Sequence, residues 1–330
     1  MSFHRTQLVA LAAVLLFGLT AGAQEARWLK GQTHAHTNNS DGDELPHRAA
    51  RWYQDHDYNF LVITDHGYIT DVTYLDTDGN RDNFIVIPGE EVTDSKHLHV
   101  NGLNMKRLVT AQHAEGIVAN LQTNIDSILA AGGVPQLNHP NWYRAVTCEQ
   151  IAALKTVKLM EVYNMDKTCN NFAAGGFPGT EEIWDCVLSK GMVIYGLASD
   201  DTHDYEGEYR PERAYPGKGW IMVRAKELAP DAITTALQNG DFYATGGMGV
   251  NLDDITVTDN EYRLRIRPER DFSFTTRFIG RDGVVLKEAA GLEPVYPFTG
   301  KELYVRAKII CSSGDFAITQ PVFPGLIKQK

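Results

Sequence analysis

Nine side chains of the types that bind metal ions stand beside short apolar runs, and eight of them lie downstream of such a run. In an α/β barrel the downstream ends of parallel strands meet on one face, where active sites are built. Six imidazoles and three carboxylates on one face would resist burial unless cations held them. The pattern therefore predicts a multinuclear metal site, and with it a hydrolase. The nine predicted ligands are His34, His36, Asp41, His66, Glu91, His99, His139, Asp201 and His203.

Two of these motifs carry strong local signals. His34 and His36 are two residues apart, so in a strand their rings share one face and reach the same ion, with Asp41 on the following turn. Asp65 and His66 end an almost wholly apolar run, and a buried strand has little reason to end in two ionisable groups unless they are used. An exposed turn that begins at Asp65 is the alternative.

Two further motifs leave a choice open. Glu90 and Glu91 are adjacent, so one carboxylate is expected to enter the site and the other to face solvent. His97 and His99 share a face, and either ring could be a ligand. His99 is also the one candidate that precedes its apolar run, 100–103, instead of following it.

The last two motifs complete the set. His139 lies in Asn138-His139-Pro140, where the proline favours an extended residue before it. Asp201 and His203 share one side of the chain and could bind two adjacent ions. By contrast, His47, His56 and His113 lie in helical or loop segments, and we expect them at the surface.

Short β-like runs alternate with helix-like segments from residue 28 to about residue 225, which predicts an α/β fold with a parallel sheet. The seven or eight runs favour a barrel. From about residue 249 to residue 323 only short alternating runs and turn signals remain, which predicts a small antiparallel β-sandwich. The predicted divisions are a signal peptide over 1–23, a metallohydrolase barrel over 24–247 and a β-sandwich over 248–330.

The first residues have the pattern of an export signal. Arg5 provides a positive charge, 8–19 an apolar core, and Ala21-Gly22-Ala23 a cleavage site of small residues. The apolar core is too short for an ordinary membrane-spanning helix, although an uncleaved anchor is the alternative. We therefore expect a protein that is periplasmic or secreted, with no stable membrane anchor.

The net charge of −11 argues against nucleic acid as a partner, because an acidic protein repels a phosphate backbone. The four cysteines have no close C-x-x-C spacing, so the metal ligands lie elsewhere. An oxidising compartment permits disulfides. Cys148 and Cys169 each follow a predicted strand end, and the two strands are consecutive, so we expect a bridge between them. Cys186 is expected to be a packed free thiol, and Cys311 to be unpaired as well.

Taken in order, these motifs resemble the polymerase and histidinol phosphatase (PHP) family over residues 28 to about 225. The resemblance implies a distorted seven-stranded (β/α) barrel, two or three metal ions and, most commonly, phosphoester hydrolysis. It also implies that Glu91 and not Glu90 is the bridging carboxylate, and that His99 and not His97 is a ligand. The tail, with Gly219 to Arg224, Phe242 to Gly247 and Gln320 to Phe323, resembles an exported branch that includes carbamate and ester hydrolases such as carbaryl hydrolase.

The expected function is an exported metal-dependent hydrolase of a small-molecule ester, with a phosphoesterase as the first expectation. A water shared by two metal ions loses a proton near neutral pH and becomes the nucleophile. Mixed imidazole and carboxylate ligands suit Zn²⁺, Mn²⁺ or Fe²⁺. Glu91, Asp201 and His203 are the predicted catalytic residues. The predicted substrate contacts are Lys96, Tyr143, Arg144, Arg210 and Arg213.

Two other functions remain open at this point. A hydrolase of carbamate, ester or amide bonds would use the same metal centre. A non-catalytic carbohydrate- or surface-binding protein would use the β-sandwich, although the intact set of ligands speaks against it. Convergent Arg and Lys side chains would favour a phosphate substrate, whereas an apolar aromatic pocket would favour a carbamate.

Overall fold

A computed structural model describes residues 25–75, 83–95, 97–208, 210, 212–247 and 250–327 of the chain. The predicted signal peptide, 1–23, and the predicted substrate contact Lys96 lie outside the described residues. Among the residues described, no helix is both long enough and apolar enough to cross a membrane.

The first seven strands lie side by side in the order in which the chain forms them. The pairs β1–β2, β2–β3, β5–β6 and β6–β7 are parallel, so the predicted α/β architecture with a mostly parallel sheet is confirmed in this part of the chain. The strands are β1 (Arg27–Gln32), β2 (Phe60–Ile63), β3 (Ile85–Ser95), β4 (Leu98–Leu103), β5 (Val134–Leu137), β6 (Leu159–Asn164) and β7 (Tyr195–Ser199).

One strand departs from the expected all-parallel order. β4 runs antiparallel to both β3 and β5, and its second residue, His99, pairs with Thr93. Because β4 runs the opposite way, its beginning lies at the same edge of the sheet as the ends of β3 and β5. This reversal explains why His99 precedes its apolar run while the other candidates follow theirs.

Helices follow or connect these strands and cover the sheet. The cap of α4 (Thr180–Ser189) is Gly179, whose backbone N–H donates to the Glu182 carboxylate. Trp184 of the same helix is fully buried and donates from Nε1 to the carbonyl of Ile194. The helices are α1 (Pro46–Asp55), α2 (Ile117–Ala130), α3 (Cys148–Ala152), α4 (Thr180–Ser189), α5 (Pro230–Asn239) and α6 (Pro324–Ile327).

The predicted β-rich tail forms two antiparallel layers that share one core. β16 pairs with β9, so β9, β16, β15, β12 and β13 continue the first sheet through β8 and β1, while β10, β11 and β14 form a separate sheet. The division at residue 247 stays a prediction. The strands are β8 (Gly219–Ala225), β9 (Phe242–Gly246), β10 (Leu252–Val257), β11 (Glu261–Ile266), β12 (Phe274–Ile279), β13 (Val285–Ala290), β14 (Val295–Pro297), β15 (Arg306–Cys311) and β16 (Phe316–Thr319).

A buried ion pair fixes the tail against α4. The guanidinium of Arg306, which is 1 % exposed, donates from Nε to Asp185 Oδ1 at 2.7 Å and lies 2.9 Å from Glu181 Oε1. The Tyr304 hydroxyl also donates to Asp185. Removing one member of such a buried pair commonly costs about 3–5 kcal/mol. The tail is therefore held against α4 by a buried ion pair. Either charge would be costly to bury without the other.

The disulfide joins Cys148 to Cys186, with 6.0 Å between their Cα atoms, and the predicted bridge between Cys148 and Cys169 is wrong. Cys148 is the first residue of α3, and it packs in the helical layer against α4, which carries Cys186. Cys169 is buried without a partner thiol, as is Cys311. The expectation failed because it placed Cys148 on a loop at the strand ends instead of on the outer helices.

We expect thiol labelling of the unfolded, unreduced protein to modify Cys169 and Cys311 and to spare Cys148 and Cys186. The bridge closes a segment of 38 residues, worth about 4 kcal/mol in the chain-entropy model. Reduction before labelling should expose all four thiols and lower the unfolding midpoint. Mass spectrometry of tryptic peptides distinguishes these states, and modification of Cys186 before reduction would contradict the assigned bridge.

Candidate metal centre

All nine predicted ligands lie at one edge of the sheet. Just beyond the strands, single backbone hydrogen bonds connect the neighbouring segments. The N–H of His36 donates to the carbonyl of Thr202 at 2.9 Å, and the N–H of Thr64 donates to the carbonyl of Ala35 at 2.9 Å. The N–H of Asn138 donates in turn to the carbonyl of His99 at 3.2 Å. These bonds join the segment after β1 to those after β2 and β7, and the segment after β5 to β4, at the point where the side chains converge.

Four polar atoms meet at the centre of the cluster. His34 Nε2 lies 3.1 Å from Asp201 Oδ1 and 3.3 Å from Glu91 Oε2, and His36 Nε2 lies 3.2 Å from both oxygens. A metal ion about 2.0–2.2 Å from each ligand would hold neighbouring ligand atoms about 3.0–3.5 Å apart. The spacing of these four atoms fits a shared metal ion.

The nine side chains form overlapping groups, each with ligand atoms within 4.8 Å of one another. Glu91 belongs to two of the groups, as a bridging carboxylate would. Asp201 lies with His34 and His36 in a third. The groups are His36, Asp41, His66 and His203; His34, His36 and Asp201; His34, Glu91 and His139; and His66, Glu91 and His99.

The buried carboxylates and imidazoles depend on one another for their charge. Burial opposes ionisation of Glu91, but His34, His99 and His66 outweigh it and hold the pKa of Glu91 well below its usual value. Burial likewise opposes protonation of His34, yet Asp201, Glu91 and Glu161 raise its pKa well above the ordinary value. A bound cation would stabilise the carboxylates without requiring the rings to be protonated.

Three polar atoms within this cluster support the fit of a metal. His99 Nε2 and His139 Nδ1 are buried and have no hydrogen-bond partner among the described residues, and the contacts of the buried Asp201 Oδ1 are with the rings of the predicted ligands His34 and His36. Buried polar atoms are nearly always satisfied in folded proteins, so such atoms call for an ion or another ligand. The donor set of imidazoles and carboxylates suits Zn²⁺, Mn²⁺ or Fe²⁺.

The cluster opens to solvent on one side. The side chains of Asp41, His66 and His203 are 54 %, 28 % and 29 % exposed, whereas His34 and His36 are fully buried. His203 Nε2 lies 3.5 Å from Asp41 Oδ1. Burial opposes protonation of His203, but Asp41 outweighs it and raises the pKa of His203 to about 9. This side is the one from which a small molecule can reach the cluster.

Glu161, in the middle of β6, is a site residue that the sequence analysis missed. Its fully buried carboxylate lies 2.7 Å from His34 Nδ1 and accepts hydrogen bonds from the His139 N–H at 2.8 Å and the Ser199 hydroxyl at 2.6 Å. A carboxylate on the far nitrogen of a ligating histidine fixes the ring and raises its basicity. A charge inside the apolar run Leu159 to Tyr163 was the signal that could have revealed it.

Two more buried aspartates hold the loops of the site. Asp65 accepts hydrogen bonds from the Thr37 N–H at 2.7 Å and the Thr70 hydroxyl at 2.6 Å, which fixes the turn that carries Asp41. Asp200 accepts from the backbone N–H groups of residues 217, 218 and 219 at 2.7–2.8 Å. Burial raises the pKa of Asp200 even though these donors oppose the shift. The adjacent ligands His66 and Asp201 are positioned through these anchors.

Glu90, which we expected to face solvent if Glu91 entered the site, is instead fully buried on the opposite side of β3. It accepts a hydrogen bond from the Val109 N–H at 2.9 Å, and burial raises its pKa to about 7. The chain after β4 covers this side of the strand, which the sequence pattern did not indicate. His97 stacks on Tyr143 with their ring centroids 4.3 Å apart, and it belongs to none of the four ligand groups. His47, His56 and His113 are exposed, as expected.

The described members of the predicted substrate contacts do not form a cationic clamp. Arg213 lies 3.2 Å from Asp204, and the Arg144 guanidinium lies 3.7 Å from the centre of the Phe177 ring. Arg210 is exposed in the loop after β7. Tyr143 is 68 % exposed beside Trp142. Their contact with substrate stays a prediction.

No family model and no curated protein matches the sequence. Solved structures with similar folds include a two-domain protein from Bacteroides vulgatus that contains a predicted PHP-like metal-dependent phosphoesterase (16 % identity, TM-score 0.48, covering 86 % of this chain and 90 % of that one). Others are a proposed metal-dependent phosphoesterase from Bifidobacterium adolescentis (15 %, 0.37, 54 % and 89 %) and an amidohydrolase from Chromobacterium violaceum with bound sulfate and no metal (13 %, 0.39, 56 % and 93 %). Similarities this distant assign no function by themselves.

We expect Glu161→Gln to weaken metal binding about 10- to 100-fold, because the neutral amide no longer polarises the His34 ring. Competition with a chromogenic chelator measures the affinity directly. Glu302→Gln is the matched control, since Glu302 also accepts several hydrogen bonds, from Tyr296 and from Thr299, but lies in the tail. If both variants bind metal like the wild type, Glu161 has no influence on the ligands.

Proposed function

We propose that the protein is a metal-dependent hydrolase of the PHP type. The observation that carries the proposal is the convergence of nine imidazole and carboxylate side chains at the spacing of metal ligands, around buried atoms that lack other partners. A seven-stranded barrel is part of the proposal. It is supported by the chain-ordered strands β1 to β7 and by the bridge between Ala35 and Thr202, which joins the ends of β1 and β7.

The residues would have three roles: they would hold the metal ions, bridge them, or line the side from which the substrate enters. His34, His36, Glu91 and Asp201 would hold ions in the buried centre, with Glu91 placed between two ligand groups. Bound divalent ions would supply Lewis acidity and lower the pKa of a coordinated water. Asp41, His66 and His203 would complete the exposed side, where the ester enters. Glu161 and Asp65 fix the geometry of the ligands around them.

We infer a phosphoesterase first, on phosphomonoesters or phosphodiesters, with two or three bound ions. A hydrolase of carbamate, ester or amide bonds is the second candidate. It is favoured by one observation, the aromatic rings of Trp142 and Tyr143 beside the cluster, where Arg144 and Arg213 are occupied by other contacts. We also propose export to the periplasm or outside the cell. The Cys148–Cys186 disulfide is compatible with that compartment.

The decisive test is metal removal followed by an assay on three substrates. Strong chelation should abolish turnover of bis(4-nitrophenyl) phosphate, 4-nitrophenyl phosphate or an aryl carbamate, and Mn²⁺, Zn²⁺ or Fe²⁺ should restore it. The substrate that is turned over selects between the two candidates. Full activity in a preparation that elemental analysis shows to be free of metal would refute the proposal, as would inactivity of the reloaded protein on every ester and amide tested.

We expect Glu91→Gln to lower metal content and to reduce turnover more than about 100-fold, because the loss of one buried charge disturbs two ligand groups. Glu90→Gln is the matched control on the other side of β3. The pKa of Glu90 is about 7 in the folded protein, above the ordinary value of 4.5. The free energy of unfolding therefore falls as the pH rises from about 4.5 to about 7. Glu90→Gln should remove this loss above pH 7 and leave the metal content unchanged.

Elemental analysis and thermal unfolding at pH 6 and pH 8.5 measure both effects. Equal loss of metal in the two variants would show that the bridging role does not belong to Glu91 alone.

A further inference from the structure

The rings of His97, Trp142 and Tyr143 form an aromatic wall beside the candidate metal centre. The Trp142 ring lies 5.4 Å from His99 and 5.2 Å from His139, centroid to centroid. His97 lies 5.2 Å from Trp142 and 4.3 Å from Tyr143. Ring contacts therefore run without a gap from two candidate ligands to the exposed face of Tyr143.

Tyr143 is held outward in an unfavourable conformation. Its φ is 51° and that of Arg144 is 54°, in the left-handed region that residues other than glycine, asparagine and aspartate seldom adopt. Its ring is nevertheless 68 % exposed, so burial of the ring does not compensate for the backbone. Strain of this kind persists only where the surroundings impose it, and it concentrates at ligand sites.

The surroundings that impose it are on the neighbouring loop. The Asn141 side-chain amide donates to the carbonyl of Asn170 at 2.8 Å and to that of Pro178 at 3.0 Å, and the Asn170 amide donates back to the carbonyl of Asn141 at 3.0 Å. These bonds tie the loop after β5 to the loop after β6. The ring of Tyr143 is thus presented by a braced loop and not by a free one.

The aromatic wall presents ring faces, whereas a site that recognised phosphate through side chains would present free cations. Arg144, the residue after Tyr143, directs its guanidinium onto the Phe177 ring at 3.7 Å. Flat organic groups stack on tyrosine and tryptophan rings with favourable energy beyond simple burial. Since the wall begins at His99 and His139, a group stacked on it would lie next to a bond held at the metal centre.

We propose that His97, Trp142 and Tyr143 form a subsite for a flat, uncharged aromatic group that is attached to the scissile ester. This inference rests on the proposed function, because it places the subsite beside a metal centre that binds the ester. It makes the substrate an aryl ester or aryl diester, in preference to a small aliphatic phosphomonoester.

The test compares phenylphosphonate with methylphosphonate, which carry the same metal-binding group and differ in the ring. Calorimetric titration of the Mn²⁺-loaded wild type should show tighter binding of phenylphosphonate. Tyr143→Asn should reduce this preference by about threefold to tenfold, since it removes a stacking ring. Asparagine tolerates the left-handed backbone, so the loop is retained. Tyr143→Phe keeps the ring and should keep the preference.

Equal affinity for the two phosphonates, a preference unaffected by Tyr143→Asn, or no binding of phenylphosphonate would overturn the subsite. Turnover of the three assay substrates, measured on the same preparations, separates this result from the proposed function. Hydrolysis without a phenyl preference removes the subsite alone, and a phenyl preference without any hydrolysis removes the hydrolase alone. Equal metal content in all variants excludes an indirect effect through the ligands.

Discussion

The mutual neutralisation of buried carboxylates and imidazoles is the constraint around which this protein is organised. Glu91, Glu161 and Asp201 are all buried, and each would be expensive to bury as an isolated charge. Burial opposes their ionisation, yet the rings around them hold all three pKa values down. The attraction falls with distance, so the stability of such a cluster depends on keeping its members close to their partners.

That requirement explains the second layer of polar residues. Asp65, Glu161 and Asp200 each accept at least three hydrogen bonds, and each anchors a segment that carries a ligand. The strands set the direction of the side chains, and these hydrogen bonds fix the segments that carry them. Backbone N–H groups satisfy part of the hydrogen bonding of these carboxylates without adding further charged side chains.

Much of this arrangement could be predicted because it depends on local patterns in the sequence. The His34-x-His36 spacing, the charge pair that ends 60–66 and the Asp201-x-His203 pair each follow a recognisable apolar run. His99 was the exception, and the antiparallel direction of β4 accounts for it. Strand direction depends on which neighbours a strand pairs with, so one run of six residues could not reveal it.

The parts that could not be predicted depend on contacts between distant segments. Cys148 lies on α3 and finds Cys186 because α3 packs on α4, a contact that strand-end reasoning cannot supply. The pairing of β9 with β16 joins residues about 70 positions apart and carries the first sheet into the tail. Glu161 lies in an otherwise apolar strand, and its role depends on His34, His139 and Ser199, which come from other segments of the chain.

The same logic of neutralisation bears on the substrate. The centre already gathers imidazoles and would gather divalent cations, so an anionic phosphoryl group needs little further positive charge beyond the ions themselves. Arg213 and Arg144 accordingly make other contacts, with Asp204 and with the Phe177 ring. What the ions cannot provide is recognition of the organic part of an ester. The exposed, braced ring of Tyr143 lies where that recognition is needed, so substrate choice would reside in the loops while the chemistry resides in the strand ends.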